Sequence, residues 1–132
     1  MKTIDKLAWV HVKDRKMLFL RSKGKDRFYF PGGKREEGES DLEALSRELC
    51  EELGIKFNVE TAQPFGVFTA PAHGQEVPTM VQDTCFSGEY EGELVPQSEI
   101  EELAWFDSND IDKMTPMGEL VINNLKEKGL VD

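Results

Sequence analysis

Three glutamates in one short stretch have a spacing that could hold a metal ion. Glu48, Glu51 and Glu52 stand at positions i, i+3 and i+4, which places all three carboxylates on one face of a helix. Like charges at that spacing destabilise an isolated helix by about 0.2–0.5 kcal/mol for each pair, so a cation among them would explain their placement. Carboxylate oxygens are the preferred ligands of hard divalent ions, above all of Mg²⁺ where phosphates share the site. From spacing alone, a solvated acidic helix is the competing interpretation.

The residues around these glutamates predict the helix that must position them. Ser40 is a favourable N-cap, and Glu43 follows three residues later, which is the pattern of a capping box. Gly54 marks the predicted end, because glycine accepts the left-handed conformation that often closes a helix. One apolar stripe predicts the face that packs on a core; it consists of Leu42, Leu45, Leu49 and Leu53.

The charge of the chain is large and unevenly placed. Its 132 residues carry a formal net charge of −10, which repels phosphate backbones, so no nucleic-acid partner is expected. A cluster of acidic residues beside a cluster of basic residues nevertheless suggests a metal site next to a phosphate site. Composition alone favours the interpretation that both clusters are solvated faces. The basic residues that collect near the acidic stretch are Arg15, Lys16, Arg21, Lys23, Lys25, Arg27, Lys34 and Arg35.

The sequence also predicts where the protein resides. No window approaches the run of about 18 apolar residues that crosses a bilayer, and the N-terminal residues lack the apolar region of a signal peptide. We therefore expect no membrane partner and a cytoplasmic location. In a reducing compartment, Cys50 and Cys85 are expected to be buried thiols rather than a disulfide.

Short apolar runs on both sides of the acidic helix predict strands. The predicted strands are residues 7–12, 16–21, 27–30, 55–59, 63–69, 79–90 and the end of 98–106. A second amphipathic helix is predicted over residues 116–128, with Met117, Leu120, Val121 and Leu125 facing inward. No repeat or linker interrupts the chain, so the prediction is one α+β domain, residues 1–132.

The acidic stretch resembles the Nudix box, the defining motif of the Nudix hydrolase family. Gly33 is followed by five residues and Glu39, and seven further residues lead to the run Arg47-Glu48-Leu49-Cys50-Glu51-Glu52-Leu53-Gly54-Ile55. Every defining position of the motif is filled. The resemblance implies the family's fold, a mixed central β-sheet sandwiched between α-helices. It also implies the family's activity, hydrolysis of a nucleoside diphosphate linked to another moiety with Mg²⁺ or Mn²⁺ as cofactor.

The same resemblance implies roles for residues of the motif. Glu48, Glu51 and Glu52 correspond to metal ligands, and Glu51 or Glu52 can also serve as the base. The backbone of Gly32 and Gly33 would contribute a carbonyl ligand. Arg47 would hold the glutamates in place by ion pairs. Glu39 would support the loop or a more distant metal.

A further carboxylate is expected outside the motif. Many family members place a catalytic or metal-binding carboxylate in the loop before the final strand, and the candidates here are Glu99, Glu101 and Glu102. Among these three candidates, Glu99 is favoured by its position relative to Trp105.

The substrate is less clearly specified than the reaction. Arg21, Lys23, Arg27 and Lys34 are candidates to contact phosphates. Phe28, Phe30 or the loop near His73 could wall a base pocket, and Gly32 would let the backbone approach the substrate. The Pro-Gly-Gly-Lys lead-in and the small size resemble the MutT branch, which cleans oxidised nucleoside triphosphates. The start of the last helix lacks the asparagine with which the prototype of that branch reads the oxidised purine, so a preference for 8-oxo-dGTP is not predicted.

Two functions of different class are compatible with the sequence. The first is a Mg²⁺-dependent pyrophosphohydrolase that acts on a small nucleotide as a monomer or homodimer. The second is a non-catalytic Nudix-fold module that senses a nucleotide without cleaving it. Non-catalytic members usually lose glutamates of the motif, and since none is lost here, the enzyme is the favoured prediction.

Overall fold

A computed structural model describes residues 2–75 and 77–132 of the chain. Two α-helices form, α1 (Asp41–Leu53) and α2 (Pro116–Glu127), and short 3-10 turns lie at Val59–Thr61 and Ser108–Lys113. The strands are β1 (Lys2–Trp9), β2 (Val12–Lys13), β3 (Lys16–Ser22), β4 (Gly32–Gly33), β5 (Lys56–Phe57), β6 (Gln63–Pro71), β7 (Thr79–Ser87), β8 (Tyr90–Glu91) and β9 (Ile100–Phe106).

The strands form a mixed arrangement. A four-stranded sheet has the order β4-β1-β7-β6, in which β1 and β7 are parallel while the outer pairs are antiparallel. A second, antiparallel sheet has the order β2-β3-β9, and β5 pairs with β8. The long parallel pair sets Lys6 beside Asp83 and Ala8 beside Cys85.

The two helices cover opposite faces of these sheets. Successive side chains of a strand point to opposite faces, and residues of β1 and β3 accordingly alternate between two apolar clusters. The cluster under α1 contains Leu7, Trp9, Leu18, Leu20, Leu45, Leu49 and Leu53. The cluster under α2 contains Ala8, Val10, Met17, Phe19, Val121, Ile122 and Leu125. The expected α+β fold, with a mixed sheet between helices, is confirmed.

Helix α1 begins and ends where its sequence predicts. The Glu43 backbone N–H donates to the Ser40 hydroxyl oxygen, and the Ser40 N–H donates to the Glu43 carboxylate at 2.9 Å, which completes the capping box. Gly54 closes the helix with a left-handed φ of 69°. Leu45, Leu49 and Leu53 are fully buried, whereas Leu42 is partly exposed. The cap and the apolar stripe together fix the direction in which the other face of α1 points.

Several predicted strands differ from the observed ones. The first strand is β1, earlier than the predicted 7–12, because it pairs along its whole length with β7. Residues 27–30 form only isolated bridges, Leu20 to Tyr29 and Phe28 to Met114. The predicted strand 79–90 is divided into β7 and β8, with Gly88 between them.

Two predictions of burial are wrong. Leu120 is 40% exposed, while Ile122 is fully buried, because the buried stripe of α2 runs through Met117, Val121 and Leu125 and turns Leu120 away. Cys50 is exposed, although Cys85 is buried, and both thiols are free. Cys50 follows Leu49 of the apolar stripe, and one helical step turns it toward solvent.

None of the helices in the described part of the chain has the length and apolar character to cross a membrane.

Candidate active site

A cleft of about 510 Å³ opens beside the Gly32–Gly33 strand. Its walls come from the inner part of β1, the middle of β7, the C-terminal half of α1, the start of α2 and the loops around Lys25 and His73. The predicted site residues that line it are Arg27, Gly32, Gly33, Lys34, Glu48, Glu52 and Glu99. Sequence-distant segments thus bring acidic and basic candidates to one place.

Glu52 is the most deeply buried acidic residue of the cleft. It is 5% exposed, and the backbone N–H of Gly32 donates to its Oε1 at 3.0 Å. Burial raises the pKa of Glu52 to about 8, the Gly32 hydrogen bond opposes this rise, and the carboxylates of Glu48 and Glu99 add to it. A nearby cation would favour the ionised form instead.

Gly33 is glycine because Glu48 occupies the space beside it. A Cβ on Gly33 would lie 2.4 Å from the Glu48 carboxyl carbon. Gly32 has a φ of 147°, and a Cβ there would lie 2.0 Å from the carbonyl oxygen of Leu7. The two glycines therefore let β4 pass between β1 and the acidic face of α1, which brings backbone groups next to the carboxylates.

Arg47 connects the loop before α1 to the glutamates on the helix. It donates to both carboxylate oxygens of Glu39, at 2.8 and 2.9 Å, and to the Lys34 carbonyl at 3.0 Å. Its Nη1 also donates to Glu48 at 3.0 Å and to Glu51 at 3.4 Å. The hydrogen bonds that Arg47 donates to Glu39 lower the pKa of Glu39 to about 2, and the same bonds raise the pKa of Arg47. Arg47 is thus placed to orient these carboxylates.

Replacing Arg47 with Lys is expected to lower catalytic turnover by about 10–100-fold, as loss of a partner that orients ligands does. Lysine keeps the charge but cannot make the paired hydrogen bonds to Glu39 while also reaching Glu48. Steady-state kinetics of Arg47→Lys, compared with Arg15→Lys, measures the effect, because Arg15 forms its ion pair with Asp132 near the C-terminus. Equal turnover in the two variants would show that Arg47 does not orient the site.

The acidic residues suit a hard divalent ion by their chemistry. Burial raises the pKa of Glu48, Arg47 opposes the rise, and Glu51 and Glu99 add to it, so these carboxylates repel one another in the absence of a counter-charge. All are oxygen donors, which Mg²⁺ and Mn²⁺ prefer. As the side chains stand, no three of the described metal-binding side chains surround one point. Ion pairs with Arg47 hold Glu48 and Glu51, and the hydrogen bond from Gly32 holds Glu52. The donor set fits the metal that the motif implies.

Three predicted substrate contacts lie outside the lining of the cleft. Arg21 pairs with Glu102 at 2.9 Å and donates to the Lys25 carbonyl. Phe28 packs edge-on against Phe106 in the core beneath α2. The Lys23 side chain is exposed, and the Lys23 backbone N–H donates to the Glu99 carbonyl. Of the predicted substrate contacts, Arg27, Gly32 and Lys34 line the cleft, and so do Phe30 and the loop near His73.

Glu51 also stands apart from the cleft wall. It is exposed at the outer edge of the acidic face, where Arg47 reaches it. Of the three carboxylate candidates expected before the last strand, only Glu99 precedes β9, and it lines the cleft, whereas Glu101 and Glu102 lie within β9 and Glu102 is engaged by Arg21.

Sequence reasoning missed several polar residues of the cleft, among them Tyr29, Asp26 and Asp83, although it named the loop near His73 as a possible wall. Tyr29 bonds the Ser22 hydroxyl, and burial raises the pKa of Tyr29 to about 12. His73 Nε2 lies 3.0 Å from the carboxylate of Asp26, so the two loops meet at the mouth. Asp83 on β7 is 7% exposed and lines the inner wall. One signal could have found Asp83: it lies on the same alternating face of β7 as Val81 and Cys85, an acidic residue beside two apolar ones.

Asp83 is expected to make stability depend on pH. Burial raises the pKa of Asp83 from 3.8 to about 6; Lys6 opposes the rise and Asp5 adds to it. Above pH 6 the folded state bears the full cost of the buried charge, and below pH 4 the group is protonated and the cost disappears. The stability gained by Asp83→Asn should therefore be greater at pH 8 than at pH 4 by about 2 kcal/mol.

Urea denaturation at the two pH values measures that difference. Asp14→Asn is the matched control, since Asp14 is exposed in the turn between β2 and β3. A gain from Asp83→Asn that is the same at both pH values would mean that the Asp83 carboxylate is not held in a buried, poorly solvated position.

Comparison with known proteins agrees with this fold. Residues 4–124 match the family described as the NUDIX domain. The chain is 34% identical over 124 residues to a Bacillus subtilis protein named as the uncharacterized Nudix hydrolase YvcI, covering 89% of this chain and 77% of that protein.

Solved structures have the same fold. The MutT Nudix hydrolase of Burkholderia pseudomallei is 20% identical with a TM-score of 0.71, over 93% of this chain and 98% of that one. The ORF135 protein of E. coli is 26% identical with a TM-score of 0.67, over 100% and 96% of the two chains.

Fold and motif together define a domain of the hydrolase class, and the cleft beside its acidic helix is the candidate site. The chain belongs to the Nudix hydrolase family, whose members are hydrolases that act on pyrophosphate bonds. The family and the enzymatic class predicted from the motif are thereby confirmed.

Proposed function

We propose that this protein is a Mg²⁺-dependent hydrolase of the MutT-like type, with Mn²⁺ able to substitute. It cleaves a pyrophosphate bond in a nucleoside di- or triphosphate or in a nucleoside diphosphate derivative. The observation that carries the proposal is the placement of Glu52. This carboxylate is buried at the inner end of the cleft, is fixed by the Gly32 N–H, and faces Glu48 and Glu99.

The acidic residues of this group would hold the metal. Glu48, Glu51, Glu52 and Glu99, with the carbonyl of Gly33, supply the oxygen donors that such an ion needs. When bound, the metal neutralises phosphate oxygens and lowers the pKa of an attacking water. Without a counter-charge, an all-carboxylate wall would repel a polyanionic substrate, so the acidic wall and the substrate are compatible only through cations.

Other side chains act on the substrate and on the proton. Glu51 or Glu52 accepts the proton of the attacking water, as a general base within reach of the reaction would. Lys34 and Arg27, which also line the cleft, bind phosphate oxygens, and Arg47 positions the carboxylates. The Gly32 backbone permits close approach of the substrate.

The partners in this proposal are small nucleotides, with neither nucleic acid nor membrane involved. The charge of −10 supports the exclusion of nucleic acid. Two free thiols, one of them exposed, fit the reducing cytoplasm. The protein acts as a monomer or a homodimer.

A substrate panel tests the proposal. Purified protein is incubated with nucleoside triphosphates, oxidised nucleotides, dinucleoside polyphosphates and nucleotide sugars, each with Mg²⁺, Mn²⁺ or a chelator. The expected result is release of phosphate or pyrophosphate from at least one class with either metal and none with the chelator. Binding without hydrolysis across the panel would instead identify a nucleotide sensor and overturn the proposal.

A further inference from the structure

The inner wall of the cleft holds a buried carboxylate that the proposed chemistry does not use. Asp83 lies in the middle of β7, between β1 and β6, and is 7% exposed. Among the described residues, none donates a hydrogen bond to its Oδ1. Buried polar groups are nearly always hydrogen-bonded, because an unpaired one costs free energy. Asp83 is therefore a candidate to bind a group that enters the cleft.

The surroundings of Asp83 limit what that group can be. Lys6 stands beside it on β1, yet the described side chains of these two residues form no ion pair within 4.0 Å. The apolar side chains of Ile4, Val81 and Met117 line the same cleft. Apolar walls with one carboxylate acceptor suit a flat ring that carries an N–H donor at its edge.

The position of Asp83 relative to the glutamates is suited to a nucleotide. Asp83 lies opposite Lys6, and Gly32, which bonds Glu52, lies opposite Ala8 on the other side of β1. The two points are separated by about 7 Å along β1 and about 10 Å across it, given the usual rise and strand spacing. A nucleotide with its phosphates near Glu52 can therefore extend its base toward Asp83.

We propose that Asp83 determines specificity by accepting a hydrogen bond from an exocyclic amino group of the nucleobase. The proposal rests on the proposed function for the location of the phosphates, and it adds the class of base: one that carries an amino group rather than a carbonyl or hydrogen at that position. A carbonyl oxygen at that position of the base would be a hydrogen-bond acceptor facing the Asp83 carboxylate, which is also an acceptor, and neither group could donate a proton to the other. Burial raises the pKa of Asp83 to about 6, which leaves it an ionised acceptor at neutral pH.

Nucleotide pairs that differ at one amino group test this assignment. Wild-type kcat/KM is expected to favour dGTP over dITP, or dCTP over dUTP, by about tenfold or more, since a site built to bond a donor discriminates against its absence. In Asp83→Ala the preference should fall to about twofold or less, mainly through KM. Glu60→Ala, exposed in the 3-10 turn Val59–Thr61 and outside the cleft lining, should keep the wild-type preference.

A binding measurement separates this proposal from the hydrolase assignment. Equilibrium dialysis of dGMP against dIMP, and of dCMP against dUMP, with Mg²⁺ present reports base recognition without hydrolysis, because a monophosphate carries no pyrophosphate bond. An amino preference that Asp83→Ala removes supports the assignment even if no substrate is hydrolysed. Hydrolysis or binding without an amino preference, or a preference that survives in Asp83→Ala, overturns it, and so does failure of all four monophosphates to bind.

Discussion

Substitution of Glu52 by Gln is expected to lower kcat by about 10²–10⁴-fold, the range found when a group that transfers a proton is removed. Glutamine has the same shape, and its side-chain oxygen can still accept the hydrogen bond from Gly32 that fixes Glu52 in the cleft. The fold is therefore expected to remain. The variant loses the negative charge with which the Glu52 carboxylate would bind a metal ion or accept a proton. Steady-state hydrolysis with saturating Mg²⁺ measures the change.

Two variants make the Glu52 result interpretable. Glu127→Gln changes the same group at the exposed end of α2 and should leave kcat unaffected. Glu51→Gln should also abolish metal-dependent turnover if the outer carboxylate belongs to the same site. Unchanged turnover in both Glu51→Gln and Glu52→Gln would remove the basis for assigning catalysis to this helix.

Truncation of Leu45 to Ala is expected to destabilise the protein by about 2–5 kcal/mol. Leu45 is fully buried in the cluster that holds α1 against the sheets, so its loss leaves a cavity that close-packed neighbours fill only partly. The free energy of unfolding from urea denaturation is the quantity to compare.

Leu120→Ala is the matched control for Leu45→Ala. Leu120 is also a helical leucine but is 40% exposed, so a change within about 0.5 kcal/mol is expected. If the two truncations cost the same, the buried face of α1 has been assigned wrongly.

The helix that carries the glutamates could be predicted because its signals are local. The Ser40–Glu43 box, the leucine stripe and Gly54 act within one or two helical turns, and the structure contains all three. The motif added spacing that local physics does not explain, and that spacing placed Glu48 and Glu52 beside the glycine turn. Local capping and the motif therefore account for the acidic half of the cleft.

The rest of the cleft depends on pairings between distant segments. Lys6 and Asp83 meet because β1 and β7 pair in parallel with a register that no local pattern specifies. Arg21 was predicted to face phosphate, but the pairing of β3 with β9 sets it opposite Glu102, and the two form an ion pair. Charge identified Arg21 as a candidate, whereas strand register decides which partner it meets.

Hydrolysis in water enriched in heavy oxygen is the most direct test of the central claim. The reaction is run with Mg²⁺ and the best substrate from the panel, and mass spectrometry locates the label in the products. The account predicts one labelled oxygen in a phosphate-bearing product, no product with a chelator and at least a hundredfold less labelled product from Glu52→Gln. Unlabelled products, or labelled products formed equally well with the chelator or by Glu52→Gln, would contradict it.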